Sequence, residues 1–175
     1  RPTFVFERGN WMIPGEKVSA QTPKELGTWK KEWPANRLGF AYWLTAPENP
    51  LTARTLVNRV WDQLFGRGLT ATLEDMGTQS DPPTHPELLD YLAWKTVQDY
   101  DWSIKSLIRE IVTSATYQQS GTISTAAFQK DPKNQWYARG PRFRLSAEQI
   151  RDQALASTGL LSPKMYGKPV MPTQP

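Results

Sequence analysis

His85 is the single histidine of the chain, and histidine is the side chain whose ordinary acid–base chemistry operates near neutral pH. If the protein transfers protons through an imidazole, His85 is the catalytic residue. A carboxylate partner would orient the ring, and Asp75 and Asp152 are the acidic residues that we assign to that role. The alternative is structural, because His85 stands between Thr84 and Pro86 in the first turn of a predicted helix, where a local hydrogen bond forms easily.

Arginines supply the groups that would bind an anion. Arg59, Arg67 and Arg142 are assigned as anion clamps, since a guanidinium group binds carboxylates, phosphates or sulfates through two hydrogen bonds. Trp61 and Trp102 add aromatic faces on which a sugar ring can stack. The alternative for each arginine is an ion pair with a structural carboxylate or a contact with a helix end.

Arginines also alternate with aromatic rings toward the C-terminal end. The segment contains Arg139, Arg142, Arg144 and Arg151 together with Trp136, Tyr137 and Phe143. An anionic glycan or a nucleic acid would fit such a surface, and Arg144 and Arg151 are therefore further candidate binding residues. Residues 51–100 carry 4 basic and 7 acidic groups, however, which disfavours nucleic acid as the partner. The structural alternative is that stacking between arginine and aromatic side chains pins this loop to the helices.

The composition excludes several kinds of cofactor site. The 175 residues include no cysteine and 1 histidine, so a disulfide framework, a thiolate metal site and covalent c-type haem attachment are excluded. We therefore predict no metal site and no cofactor bound to this chain. The longest apolar run extends from Phe40 to Leu44, far short of the roughly 20 residues that cross a bilayer. The sequence accordingly predicts no membrane span.

Five segments have the apolar spacing of amphipathic helices, each with start or stop signals. The first helix runs from Arg37 to about Thr45 and is capped by Asn36, and the second is capped by Thr52 and ends at Gly66. The third begins with a capping box of Thr84 and Glu87 and continues through Val97, and the fourth covers Ile104 to Val112 with Asp101 or Ser103 as its cap. The fifth begins with a capping box of Ser146 and Gln149 and ends at Gly159. From Gly121 to about Leu145 the helical pattern is lost, and a basic loop is predicted.

The predicted fold is therefore mainly α, with about five helices, long loops rich in proline and glycine, and a short β-like arm at the N-terminus. The β-like run covers Thr3 to Glu7. We expect a single domain, in which residues 1–35 form an extended arm and residues 36–175 form the helical part, and we expect both ends to be truncated.

Several strings of the sequence together resemble one family. They are TFVFERGN, NPLTARTLVNRVWDQLFGRGL, EDMGTQSDPPTHPELLDYLA, SIKSLIREIVTSATYQQS and RGPRFRLSAEQIRDQALASTGLL. In order and with few gaps, they resemble the PSD-one domain, a domain of unknown function found toward the C-terminus of large planctomycete-type proteins. Two mild departures, Met76 and Tyr91 at positions where Phe and Trp are usual, keep a large apolar group.

The resemblance implies an exported protein, periplasmic or extracellular, whose parent chain often carries a cytochrome-c-like haem domain and belongs to a setting of polymer breakdown. Any haem would then lie in a separate domain, and the expected partners are other domains of the parent protein. No reaction is implied. The first functional hypothesis is thus an accessory or docking module of periplasmic redox or polymer-degrading systems. The second is a glycan-active hydrolase or lyase that uses His85, a carboxylate and the arginine clamps.

Overall fold

The fold was analysed in a computed structural model that describes residues 2–19, 21–77 and 79–168. Six α-helices and two short strands follow one another along these residues, so the predicted mainly α fold with an N-terminal β-like arm is confirmed. The elements are β1 (Thr3–Phe6), β2 (Pro14–Val18), α1 (Arg37–Leu44), α2 (Thr52–Phe65), α3 (Pro86–Gln98), α4 (Ile104–Val112), α5 (Thr125–Lys130) and α6 (Ala147–Ser157). None of the described helices has the length and hydropathy of a membrane-crossing segment.

The chain divides into two compact units, residues 1–142 and residues 143–175. In the first unit, β1 and β2 form an antiparallel hairpin in which Thr3 lies opposite Val18 and Phe6 lies opposite Pro14. The second strand was not predicted, because Pro14 and Gly15 interrupt the β pattern in the sequence. In the second unit, α6 begins with the predicted capping box of Ser146 and Gln149.

The core of the first unit lies where α2, α3 and α4 pack against one another. Its fully buried side chains include Val57 of α2, Leu89 of α3 and Leu107 of α4. Aromatic rings extend this core at the C-terminal end of α2, where Trp61 and Phe65 stack with ring centroids 4.3 Å apart. Burial of these side chains is the main stabilising contribution to the helix packing.

The predicted helix caps are confirmed in part. Asn36 and Ser103 cap α1 and α4 through side-chain hydrogen bonds, and Gly66 ends α2 in the left-handed conformation with a φ of 73°, all as predicted. The predicted cap at Thr52 is wrong, because the side-chain oxygen of Asn49 accepts the hydrogen bonds from the N–H groups of Leu51 and Thr52.

The predicted capping box of Thr84 and Glu87 is also wrong. Helix α3 begins after His85, and no side chain caps its first turn. The hydroxyl of Thr84 donates instead to the carbonyl oxygen of Leu69, 3.2 Å away. Helix α5 is a further difference, because it lies within the segment predicted to be a loop.

Candidate functional site

The segment that follows α2 is held against the helix by one buried side chain. Asn58 has no solvent-exposed surface, and its carboxamide accepts from the N–H of Thr70 over 2.9 Å and donates to the carbonyl oxygen of Thr70 over 3.1 Å. A glycine is required at position 68, since a Cβ there would lie 2.6 Å from the Thr70 oxygen and 2.7 Å from Oδ1 of Asn58. This close approach fixes the backbone of residues 66–70 beside α2.

His85 is attached to that segment through its neighbour. Both the N–H and the hydroxyl of Thr84 donate to the carbonyl oxygen of Leu69. Nδ1 of His85 lies 3.0 Å from the Thr84 oxygen. A hydroxyl group has one proton, and when that proton points to Leu69 the imidazole donates through Nδ1 to the Thr84 oxygen. In that arrangement the neutral ring of half-buried His85 offers Nε2 as a hydrogen-bond acceptor.

A tight loop after α5 brings two aromatic rings to His85. The carboxylate of Asp131 accepts from the N–H of Gln135 over 2.8 Å and from the N–H of Trp136 over 2.9 Å. The guanidinium of Arg139 donates to the carbonyl oxygen of Asp131 and lies over the ring of Phe128, 5.5 Å from its centroid. The structural alternative for Arg139, a stacked arginine that pins the loop, is therefore confirmed.

Tyr137 is the second aromatic residue beside His85. Tyr137 is buried in a left-handed backbone conformation, with a φ of 49°, which a non-glycine residue adopts only where the surroundings hold it. Its hydroxyl donates to the carbonyl oxygen of Gly68 over 3.0 Å. Burial raises the pKa of the Tyr137 phenol, and the nearby positive charge of Arg67 acts in the opposite direction. The phenol is thus a protonated hydrogen-bond donor that joins the loop to the segment after α2.

These residues form one cluster, which we call the His85 site: His85, Trp136, Tyr137 and Arg67. The imidazole centroid lies 5.9 Å from that of Trp136 and 5.5 Å from that of Tyr137. The indole of Trp136 is 64% exposed and offers a face to solvent. Among the described residues, Nε of Arg67 is buried without a hydrogen-bond partner. The cluster therefore combines a ring acceptor, an open aromatic face and an unused arginine donor.

Among the described residues, no hydrogen bond joins His85 to Asp75, the assigned carboxylate of its own unit. Asp75 is exposed, and its side chain accepts from the N–H of Gly77 over 2.9 Å in a local turn. Asp152 is exposed on α6, in the second unit. Thr84 is the polar partner that the structure gives to His85. Sequence reasoning missed this partner because Thr84 was interpreted as a helix cap.

The other predicted binding residues are dispersed. Arg59 is exposed on α2, and Arg142 is exposed beside Gly121. Arg144 and Arg151 are exposed residues of the second unit. Trp61 is 3% exposed and packs between Phe65 and Tyr137, so it is a core residue without a free face for a sugar. Of the predicted binding residues, the structure places Arg67 at the His85 site.

The groups gathered at the His85 site can bind a ligand. In the described residues, no group of three or more histidine, cysteine or acidic side chains is arranged to hold a metal ion. A ring nitrogen, an indole face and an arginine can together hydrogen-bond and stack a ligand. The arrangement lacks the carboxylate that orients and charges an imidazole in a catalytic dyad.

Comparison with known proteins identifies the family of this chain. The family model of PSD1, described as a protein of unknown function (DUF1553), matches residues 36–175. The chain belongs to this family, as the resemblance in its sequence predicted. No curated protein and no solved structure matches the chain. The His85 site lies within the matched residues, whereas the hairpin of β1 and β2 lies outside them.

Proposed function

We propose that this domain is a non-catalytic accessory module of an exported protein and that it docks another domain of the same protein. The observation that carries the proposal is the exposed apolar surface of the N-terminal hairpin, described below. The resemblance to the PSD-one domain supports the setting, an exported protein of periplasmic redox or polymer-degrading systems. It also makes a cytochrome-c-like domain of the parent protein the first partner to test.

The hairpin exposes apolar side chains on its strands and at its tip. Trp11 is 76% exposed and Met12 is 70% exposed, and Val5, Phe6 and Ile13 are exposed beside them. Large apolar side chains that are concentrated on one small element and remain in water are unfavourable there, which is typical of an interaction surface. We call these five residues the hairpin patch.

The hairpin's own stability gives a second reason to expect a partner. Within the described residues it consists of β1 and β2 alone, and a two-stranded ribbon is marginally stable in water. Each strand has one edge without a partner strand, which offers backbone groups to an added strand. A domain on the same chain would meet this hairpin at a high effective concentration, so moderate contacts would suffice to hold it.

Isothermal titration calorimetry of this chain with the other domains of its parent protein tests the docking proposal. We expect saturable binding to one of them and a loss of at least about tenfold in affinity for the double variant Trp11→Ser, Met12→Ser, because both side chains lose apolar contact area. Trp94→Ser is the matched control, since Trp94 is exposed on α3, outside the hairpin patch. Absence of binding to every domain, or equal losses for both variants, would contradict the proposal.

A second candidate function is action on a glycan, and the half-buried imidazole of His85 beside the exposed Trp136 favours it. In this proposal Trp136 stacks a sugar ring, Arg67 binds an anionic group and His85 transfers a proton. Turnover of neutral, sulfated and uronic-acid glycans is measured for the wild type, His85→Ala and Trp136→Ala. Activity that is lost in both variants would support the enzyme, whereas full activity of His85→Ala would exclude it.

A further inference from the structure

A cleft opens between residues 21–29 and the first turns of α1. Its volume is about 780 Å³, within the range of small-molecule sites in proteins. The rings of Trp29 and Phe40 form its apolar walls, and Gln21 and Thr28 add polar atoms at its border. These residues belong to the first unit, and none of them is part of the His85 site or of the hairpin patch.

Local backbone geometry builds the walls of this cleft. Gly39 of α1 allows Trp29 to lie against the helix, because a Cβ at position 39 would come within 2.7 Å of the indole ring. Gly27 has a φ of 115°, a conformation that glycine adopts without strain, and it turns the chain at the end of the cleft. The aromatic wall is therefore held in place by the fold.

The charged residues that line the cleft are all positive. Lys24 and Arg37 line it, and no carboxylate is among its described lining residues. Neither cation forms a salt bridge within the described part of the chain. The neighbouring Lys30 differs, since its ammonium group pairs with Glu48 over 3.1 Å. An apolar cleft with two unneutralised cations is complementary to an anion that has an apolar body.

The buried indole N–H of Trp43 lies near the turn at Gly27. Nε1 of Trp43 is buried and has no hydrogen-bond partner among the described residues. A Cβ on Gly27 would lie 3.6 Å from this nitrogen, so the indole nitrogen lies beside the Gly27 turn. A smaller cavity of about 300 Å³ lies there, and Gly27 and Thr28 line both cavities. An indole N–H that is buried unpaired is costly, and an acceptor atom on a ligand would satisfy it.

We propose that this cleft binds a small aromatic anion, whose ring lies between Trp29 and Phe40 and whose carboxylate, sulfate or sulfonate group binds Lys24 and Arg37. The site is independent of the proposed docking through the hairpin patch, because the two share no residue.

The test compares two probes of the same shape by isothermal titration calorimetry on the full chain. Naphthoate carries the negative charge, and naphthamide is its uncharged counterpart. We expect naphthoate to bind more tightly than naphthamide, and we expect Lys24→Gln, Arg37→Gln to weaken naphthoate by about tenfold or more, since charge-assisted hydrogen bonds are lost. Lys105→Gln on α4 removes one positive charge outside the cleft and is the matched control.

Each outcome decides the proposal. Circular dichroism first verifies that the double variant keeps its helices, and the single variants replace it if it does not. Selective loss of naphthoate binding in the cleft variants, with Lys105→Gln unchanged, supports the site. The proposal is overturned if naphthoate does not bind, if naphthamide binds equally well, or if binding survives the removal of both cations. Phe40→Ala provides a second test, because it should weaken both probes by removing one aromatic wall.

Discussion

Asn58 fixes the segment after α2 through two buried hydrogen bonds to Thr70. Replacement by alanine would leave the N–H and the carbonyl oxygen of Thr70 buried without partners. We expect Asn58→Ala to lower the free energy of unfolding by about 3 kcal/mol, because each unsatisfied buried group costs roughly 1–3 kcal/mol. Urea denaturation measures this loss. Gln63→Ala on the exposed face of α2 is the control and should stay within about 0.5 kcal/mol; equal losses would contradict the argument.

Ionisation of the buried Tyr137 phenol at alkaline pH should lower the free energy of unfolding. Burial raises the pKa of its phenol above the ordinary 10.0, so the folded state holds this proton more tightly than the unfolded chain does. The stabilisation is complete below pH 10.0 and is lost as the pH rises through the raised pKa. The difference in unfolding free energy between the wild type and Tyr137→Phe should therefore shrink above pH 10.0. Urea denaturation from neutral to alkaline pH measures it, and a constant difference would refute the role of burial.

At the site, the sequence predicted the residues better than their partners. His85 was identified because no other histidine is present, and Arg67 was identified by its place after the helix. Trp136 and Tyr137 reach His85 from a segment far apart in the chain, and sequence spacing carries no information about such contacts. Thr84 is the immediate neighbour of His85, and its hydroxyl was assigned to a helix cap instead of to the imidazole.

Helices α3 and α4 are joined on their exposed side by a small charged network. The ammonium group of Lys95 lies 3.2 Å from the carboxylate of Glu110, and the hydroxyl of Tyr100 donates to the same carboxylate over 3.0 Å. Hydrogen bonds from Lys95, and then from Tyr100, lower the pKa of Glu110 below its ordinary 4.5. This network adds to the apolar contacts that hold α4 against α3.

A lowered carboxylate pKa predicts a loss of stability in acid. The contribution of Glu110 is present above pH 4.5 and disappears as the pH falls through its lowered pKa. We expect Glu110→Gln to reduce the melting temperature modestly at neutral pH and to unfold with a weaker dependence on pH below 4.5 than the wild type. Thermal melts followed by circular dichroism measure both effects. Glu87→Gln on α3 is the control, and identical acid profiles for all three proteins would contradict this prediction.

Among the elements, the apolar period located five helices, whereas the residues that cap them were predicted only in part. The apolar spacing of α4 corresponds to the buried side chains of Leu107 and Ile111, whereas α6 has no buried residue. Helix α5 has six residues and buries none of them, so it leaves no periodic pattern in the sequence. The starts of α2 and α3 were assigned wrongly because Thr52 and Thr84 have the right side chains for a cap. The nearby Asn49 accepts from the first N–H groups of α2 instead, and a tertiary hydrogen bond to Leu69 holds the Thr84 hydroxyl.

At the scale of the whole molecule, the boundary between the two units falls in residues 141–145, which form neither helix nor strand. Residues 141–145 contain Arg142 and Arg144, which are exposed, whereas Arg59 and Arg109 are exposed on helices whose backbone hydrogen bonds resist a protease. We therefore expect brief digestion with trypsin to cut after Arg142 or Arg144 before it cuts after the helical arginines. Mass spectrometry of the early fragments identifies the order.

The larger tryptic fragment, residues 1–142, should remain folded. Residues 1–142 contain the complete core of α2, α3 and α4, so the fragment should keep their helical circular dichroism and a cooperative thermal transition. The variant Arg142→Gln, Arg144→Gln should resist cleavage in this segment with its helix content unchanged. First cleavage at Arg59 or Arg109, or a larger fragment that loses its helical signal, would show that the core of the first unit depends on residues beyond 142 for its stability.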